Sequence, residues 1–207
     1  LMADNIEKAE KAADCYVENG YFHFGENKFR LLPNIDQEPL EKTYEAKETK
    51  VASIDLRSYF NPIRNQGSQG SCLAHTIASL FEYTIFKDTK KQIDLSEAFL
   101  YYNARKLDSE SDISTEEDTG ARYRPAMDSL VEYGIAQEKF CPYNENCYTQ
   151  EPSRQAYEDA ATRKLALAMN VNRTIVDIKS AISEGYPVAV SFSLMESFFQ
   201  ASDGYIP

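Results

Sequence analysis

The stretch Asn65-Gln66-Gly67-Ser68-Gln69-Gly70-Ser71-Cys72-Leu73-Ala74 decides how this chain is interpreted. A loop rich in glycine and serine separates Gln66 from Cys72, and an apolar run typical of a helix begins at Cys72. A helix N-terminus presents backbone N–H groups and a partial positive charge, which lower the pKa of a thiol placed there. Gln66 can donate its side-chain amide to a developing oxyanion. The pattern therefore predicts a nucleophilic thiol with an oxyanion donor beside it.

Hydrophobic periodicity predicts several helices and little sheet. The helix that begins at Cys72 should reach Phe86, with a buried stripe, and Ser96 should cap the next helix, which runs to about Arg105. The stripe comprises Leu73, Ile77, Leu80, Phe81, Thr84 and Ile85. Further helices are expected at 4–18, 124–133, 153–170 and 175–183, a short hairpin and extended connector within 21–50, loop and short strand at 52–64, an exposed acidic loop at 108–119, and a buried strand at 187–192.

Composition narrows the classes of function. The chain has 207 residues, is 43% hydrophobic and carries a net charge of −11, which argues against nucleic acid or an anionic membrane as the main partner. No apolar run approaches the length of a membrane span. With two histidines and no Cys-x-x-Cys pair, the sequence predicts neither a metal site nor a cofactor.

Four cysteines are too few for a disulfide scaffold in a chain of this size. Cys141 and Cys147 flank a short turn, so they either pair locally or remain two free thiols. The sequence leaves both alternatives open.

A series of short motifs in a fixed order resembles the papain-like cysteine peptidases over residues 52 to 207. Each motif is short, and the ordered set is what makes the resemblance specific. The motifs are Asp55-Leu56-Arg57, Asn65-Gln66-Gly67 with Gly70-Ser71-Cys72, Leu95-Ser96-Glu97, the segment 126–135 ending in Tyr133-Gly134-Ile135, Pro142-Tyr143, and Tyr186-Pro187-Val188-Ala189-Val190.

The resemblance implies an α+β papain-like fold, in which a helical left domain is followed by the start of a β-barrel-like right domain and the cleft lies between them. It implies a peptidase domain over 51–207 that acts on a peptide or protein substrate. Cys72 would attack the peptide carbonyl, while Gln66 and the backbone N–H of Cys72 stabilise the oxyanion. The implied substrate-binding residues are Gly70, Ser71, Gly120, Ala121 and Tyr123. Tyr123 is equally compatible with packing at the start of a helix.

Three positions depart from the family pattern, which reads Cys-Gly-Ser-Cys-Trp around the nucleophile. Gln69 replaces the first cysteine, so the disulfide that this cysteine normally makes is missing, and Leu73 replaces the tryptophan. Gly120-Ala121 stands where the family has Gly-Gly. These departures indicate a bacterial-type or otherwise divergent branch.

The catalytic histidine of the family, and the asparagine that orients it, follow the Pro-Val strand, whereas this sequence stops at Pro207. His75 lies three residues after Cys72 and is expected to pack inside, while His23 is expected to be a surface or packing residue. We therefore expect truncation before the histidine, a separate C-terminal fragment that completes the site, or loss of catalysis. The candidate functions are a cysteine endopeptidase or exopeptidase, a pseudo-peptidase that binds peptides or proteins, and a thiol transferase, ligase or deamidase.

Residues 1–50 have no counterpart in the mature family domain. The predicted helix and extended strip suit an autoinhibitory pro-region of a zymogen, or an accessory segment, with a solvated linker and cleavage region at 41–50. The family and the sequence pI of about 4.7 fit a secreted or lysosome- or vacuole-like location, with a cytosolic effector as the alternative.

Overall fold

The computed structural model describes residues 42–49, 51–108, 113–144, 146–191 and Phe198, together with the backbone of three strands near the N-terminus. Short 3-10 turns lie at Arg57–Tyr59, Glu138–Phe140 and Cys147–Thr149. The strands and helices are β1 (Cys15–Glu18), β2 (Tyr21–Phe24), β3 (Asn27–Arg30), α1 (Cys72–Thr89), α2 (Glu97–Leu107), α3 (Tyr123–Glu132), α4 (Arg154–Ala160) and α5 (Ile175–Ser183).

The three strands form an antiparallel meander in the order β1-β2-β3. Tyr16 pairs with His23, and Phe22 pairs with Phe29. The predicted hairpin is therefore confirmed, and the predicted helix at 4–18 is wrong over Cys15–Glu18. Tyr16 and Val17 favour extended backbone, and pairing with β2 outweighs the helical spacing. The remainder of that predicted helix lies outside the described residues.

Helix α2 occupies the centre of the helical domain. Every residue from Glu97 to Arg105 is buried, so this helix is covered on all sides rather than on one face. It packs against α1 and α3, and these helices contribute most of the rest of the main core, with Leu95 and Ile135 from the adjoining loops. That core contains Leu73, Ala74, Ile77, Ala78, Leu95, Leu100, Tyr101, Ala104, Ala126, Met127, Leu130 and Ile135.

The residues at the ends of α2 and α3 have the roles that the sequence predicts. The Ser96 hydroxyl accepts a hydrogen bond from the Phe99 N–H at 3.0 Å, which confirms the predicted N-cap. Gly134 follows α3 with φ +83°. A Cβ at Gly134 would lie 2.1 Å from the Ala160 carbonyl oxygen, so only glycine fits this turn.

Three predicted elements are shorter than expected or have another form. Between 153 and 170 the helix covers only Arg154–Ala160, after which Arg163 donates to the Ile135 carbonyl at 3.1 Å and the chain turns back. The segment 52–64 forms a 3-10 turn and no strand. Residues 187–191 form no strand among the described residues and are half-buried or exposed, so the predicted buried strand is wrong over this range.

The segment 42–49 is exposed, as expected of a solvated strip, except at Tyr44, which attaches it to the domain. Tyr44 is buried, its N–H donates to the Asn170 carbonyl at 2.7 Å, and its hydroxyl lies 3.0 Å from the Ser180 hydroxyl. The Lys47 N–H also donates to the Ser180 hydroxyl, at 2.8 Å. A buried aromatic ring and a shared serine therefore hold this strip against α5.

Candidate active site

Cys72 is the first residue of α1, and its side chain is exposed to solvent. Desolvation by surrounding protein atoms raises the pKa of its thiol above the ordinary value, while the backbone N–H groups of Leu73 and Cys72 lower it and the charge of Asp118 raises it. The expected lowering of the thiol pKa is therefore wrong. The helix terminus acts in the predicted direction, but desolvation outweighs it.

The loop of residues 66–72, called here the Cys72 loop, orients Gln66 through its own backbone. The Gln66 side-chain amide donates to the Gln69 carbonyl oxygen at 2.7 Å. Gly67 has φ +61°, and its N–H donates to the Asn65 side chain at 3.0 Å. A tight turn therefore separates Gln66 from Cys72, and the Gln66 amide plane is fixed within the loop.

A tyrosine on a neighbouring segment holds two points of the Cys72 loop. The Tyr143 hydroxyl donates to the Gln66 carbonyl oxygen at 2.7 Å and accepts from the buried Ser71 hydroxyl at 2.5 Å. Ser71 is the N-cap of α1, but its side chain makes no capping bond. Its hydroxyl binds Tyr143 instead and joins the two ends of the loop.

The predicted substrate residues Gly120 and Ala121 lie directly against the loop, and residues 118–121 are called here the Gly120 segment. The Gly70 N–H donates to both Asp118 carboxylate oxygens, at 3.0 and 2.9 Å. A Cβ at Gly70 would lie 3.5 Å from the Gly120 Cα. Gly120 is buried, and Ala121 packs partly buried against the main core. The structure thus brings Gly70 and Gly120 together.

Tyr123 begins α3 and is half-buried. Its hydroxyl forms a hydrogen bond with the Ser191 side chain, and its ring hydroxyl is close enough to Cys72 for the two groups to interact electrostatically. Burial raises the pKa of the Tyr123 hydroxyl. The Tyr123 hydroxyl therefore reaches the segment that follows Pro187.

His75 faces away from the chemistry expected at Cys72. Its Nδ1 donates to the Ser71 carbonyl oxygen at 3.1 Å, and its ring packs edge-on against Tyr143 with centroids 4.9 Å apart. Burial lowers the pKa of the imidazole. These contacts agree with the packing role expected for His75.

Cys141 and Cys147 are free thiols, so the local disulfide is not formed. The buried Cys147 thiol donates to the Gln69 side-chain oxygen at 3.3 Å, and the Gln69 amide donates to the Asn144 carbonyl at 2.6 Å. Gln69 thus fills the position of the missing family cysteine with hydrogen bonds.

The acidic loop is less exposed than its composition suggests. Asp108 forms an ion pair with Arg122, and its side chain is fully buried. Asp118 accepts a hydrogen bond from the Tyr101 hydroxyl as well as from Gly70. Sequence reasoning missed Asp118, Tyr101 and the contacts of Tyr143. The sequence signals that could have found them are an acid two residues before Gly120 and the tyrosine of the Pro-Tyr motif.

An ionic cluster with two buried carboxylates, Glu82 and Glu97, precedes the Cys72 loop. Arg64 contacts Glu82 at 2.5 Å, Asp94 at 2.6 Å and Glu97 at 2.9 Å. The contact with Glu97 is an ion pair without hydrogen-bond geometry. Burial raises the pKa of Glu97 to about 7, although the Arg64 charge opposes this.

Other kinds of site are not found in the described part of the chain. No cluster of three or more potential ligand side chains there could hold a metal ion. None of the described helices is long and apolar enough to cross a membrane. A shallow groove of about 460 Å³ runs between residues 54–60 and 182–188, and neither Cys72 nor Gln66 lines it.

Comparison with known proteins agrees with this geometry. The uncharacterized peptidase C1-like protein L477 of Acanthamoeba polyphaga mimivirus is 27% identical over 179 residues, which are 82% of this chain and 55% of that protein. This chain thus spans about half the length of that relative. Xylellain, a cysteine protease from Xylella fastidiosa, superposes with a TM-score of 0.63 at 24% identity, over 74% of this chain and 62% of that one. Digestive procathepsin L 3 of the Tenebrio molitor larval midgut superposes with a TM-score of 0.58 at 18% identity, over 72% and 46%.

These structures show the same fold, an α+β papain-like architecture whose helical domain is the part described most fully here. The model of the papain family cysteine proteases matches residues 51–206, which is most of the chain. The match includes Cys72, Gln66 and the Gly120 segment. The chain belongs to the papain family of cysteine proteases.

Proposed function

We propose that the full-length protein is a cysteine peptidase that hydrolyses peptide bonds through Cys72. The observation that carries the proposal is the placement of an exposed thiol at the first residue of α1, with the N–H groups of Cys72 and Leu73 beside the sulfur. Gln66 at the other end of the same loop supports the role of oxyanion donor.

The chemistry follows from these positions. The Cys72 thiolate adds to the peptide carbonyl carbon, and the carbonyl oxygen takes up negative charge opposite the N–H of Cys72 and the Gln66 amide. The C–N bond then breaks, the amine leaves with a proton, and a thioester remains that water hydrolyses to release the acid and restore the thiol. The Gly120 segment and Tyr123 would hold the extended substrate beside the sulfur.

The proposed reaction needs a general base that can also protonate the leaving amine. His75 is turned toward Ser71 and Tyr143, so it does not supply this group. A histidine from another part of the full-length protein, as in the family, would complete the site.

A peptide-epoxide probe tests the nucleophile. We expect the full-length protein to gain one probe at Cys72 and to cleave a fluorogenic peptide, and Cys72→Ala to abolish both. Cys147 is buried, so Cys147→Ala serves as the matched control and should retain labelling and cleavage. A full-length protein that cleaves no peptide while Cys72 remains unlabelled would contradict the proposal. Mass spectrometry of the products separates hydrolysis from transfer or deamidation.

A second candidate is a pseudo-peptidase that binds peptides or a protein partner without cutting them. Peptide binding to the full-length protein without turnover, measured by calorimetry, would support this candidate.

We also propose that residues 1–50 act as a pro-region or an accessory segment of the peptidase domain at 51–207. The contacts of Tyr44 with Asn170 and Ser180 support an attached segment rather than a free linker. Deletion of 1–50 should increase peptide cleavage by the full-length protein, and unchanged cleavage would contradict an inhibitory role. A secreted or acidic compartment suits such a zymogen, and fractionation of the source cells tests this placement.

A further inference from the structure

Asp118 lies between the two backbone segments that border the thiol. Its carboxylate accepts a bifurcated hydrogen bond from the Gly70 N–H, at 3.0 and 2.9 Å to the two oxygens, and a hydrogen bond from the Tyr101 hydroxyl. The same hydroxyl accepts from the Gly120 N–H at 3.0 Å. A continuous path of hydrogen bonds therefore runs from the Cys72 loop to the Gly120 segment.

The two segments lie in close contact where they meet. A Cβ at Gly70 would lie 3.2 Å from an Asp118 carboxylate oxygen and 3.5 Å from the Gly120 Cα. Gly120 itself has φ +76°, in the left-handed region that favours glycine. Both glycines are buried, so water does not replace these hydrogen bonds without local opening.

The groups around Asp118 are themselves fixed. Tyr101 is fully buried in α2, and the Arg105 guanidinium stacks over its ring at 4.2 Å. Arg105 also donates to the Ser114 and Glu117 carbonyl oxygens at 2.7 and 2.6 Å. The chain immediately before Asp118 is thereby anchored to the core.

We propose that Asp118 is a positioning residue that fastens the Cys72 loop to the Gly120 segment through the Gly70 amide and the Tyr101 hydroxyl. This link consists of hydrogen bonds rather than a disulfide. It aligns the nucleophile with the segment that would hold the substrate backbone. The inference rests on the proposed peptidase function for its effect on turnover, but the link itself has a separate readout.

Besides positioning the loop, the Asp118 carboxylate makes the Cys72 thiol harder to ionise. Its negative charge raises the pKa of Cys72, because a nearby like charge disfavours the thiolate. Removing the charge while keeping the shape should therefore make the thiol easier to ionise and, at the same time, loosen the alignment. A residue that merely stabilises the fold would not produce these two changes together.

The test compares Asp118→Asn with Asp128→Asn in the full-length protein. Asp128 pairs with Arg124 on the surface of α3, so its substitution removes the same charge away from the site. In Asp118→Asn we expect amide hydrogen exchange at Gly70 to be at least about 10-fold faster. Alkylation of Cys72 by iodoacetamide near pH 7 should become about 3-fold faster, because loss of the Asp118 charge lowers the pKa of the thiol. The kcat/KM for peptide should fall at least about 10-fold, because a small misplacement of reacting groups is costly.

The readouts separate failure of this inference from failure of the proposed function. Unchanged Gly70 exchange in Asp118→Asn overturns the positioning role, whatever the protein catalyses. Faster exchange and faster alkylation in a protein without peptidase activity would support the link and reject only the peptidase function. If Asp118→Asn does not fold, Tyr101→Phe provides the second variant, and unchanged exchange at Gly120 in that variant overturns the link.

Discussion

The Cys72 loop is attached to the protein by opposite arrangements of charge at its two ends. Just before the loop, the single cation of Arg64 is shared by three carboxylates, two of them almost fully buried. Near its end, the single carboxylate of Asp118 accepts hydrogen bonds from neutral donors. Three carboxylates that share one cation keep part of their negative charge uncompensated, whereas the charge of Asp118 is stabilised by hydrogen bonds from the Gly70 N–H and the Tyr101 hydroxyl.

The largest expected effect comes from removing the cation. Arg64→Met leaves Glu82 and Glu97 buried without a counter-ion, which should lower the free energy of unfolding by about 3–5 kcal/mol. Arg154→Met removes an exposed ion pair with Glu158 and should cost less than about 1 kcal/mol. Urea unfolding measures both variants, and equal losses would refute the distinction between a buried and an exposed pair.

The second effect is a dependence of stability on pH. The pKa of Glu97 is about 7 in the folded protein, against the ordinary value of 4.5. Between these values the folded state binds more protons than the unfolded state, so stability should fall as pH rises from 4.5 to 7. Glu97→Gln should remove up to about 3 kcal/mol of this fall, as thermal unfolding across that range would measure. The stability of Glu97→Gln should depend less on pH than that of Glu116→Gln, a variant at an exposed site. An equally steep pH dependence in both variants would contradict the raised pKa of Glu97.

The third effect weakens the neutral donors around Asp118. Tyr101→Phe deprives the carboxylate of one donor and leaves the buried Gly120 N–H without its acceptor, which should cost about 2 kcal/mol. Tyr102→Phe, at the next position of α2, is the matched control, since the described residues provide no hydrogen bond to its hydroxyl. Equal losses in urea unfolding would argue against the link through Tyr101.

The smallest effect concerns the uncharged attachment in the middle of the loop. Tyr143→Phe removes the hydroxyl that binds Gln66 and Ser71, and we expect a loss of about 1 kcal/mol and a several-fold lower kcat. Because Tyr143→Phe changes no charge, the alkylation rate of Cys72 should depend on pH in the same way as in the unaltered protein. A profile shifted as far as that expected for Asp118→Asn would mean that loop geometry, not charge, sets the thiol pKa.

Elements governed by local signals were predicted well. The start of α1 at Cys72, the Ser96 cap and the glycine after α3 each depend on a few neighbouring residues. The strand at Cys15–Glu18 was missed because its stability depends on pairing with β2, which helical spacing does not report. The exposure of the acidic loop was misjudged because the partners of Asp118 come from α2 and the Cys72 loop.

The sequence by itself determined the nucleophile candidate, its helix terminus and the papain-family order of motifs. These features follow from residue types and short spacings, which act locally. Only the tertiary structure decided that His75 packs against Tyr143 and that Asp118 joins Gly70 to Tyr101. It also decided that desolvation outweighs the helix terminus at the thiol. Such outcomes depend on which distant groups are brought together in a low-dielectric interior, and spacing along the chain does not contain that information.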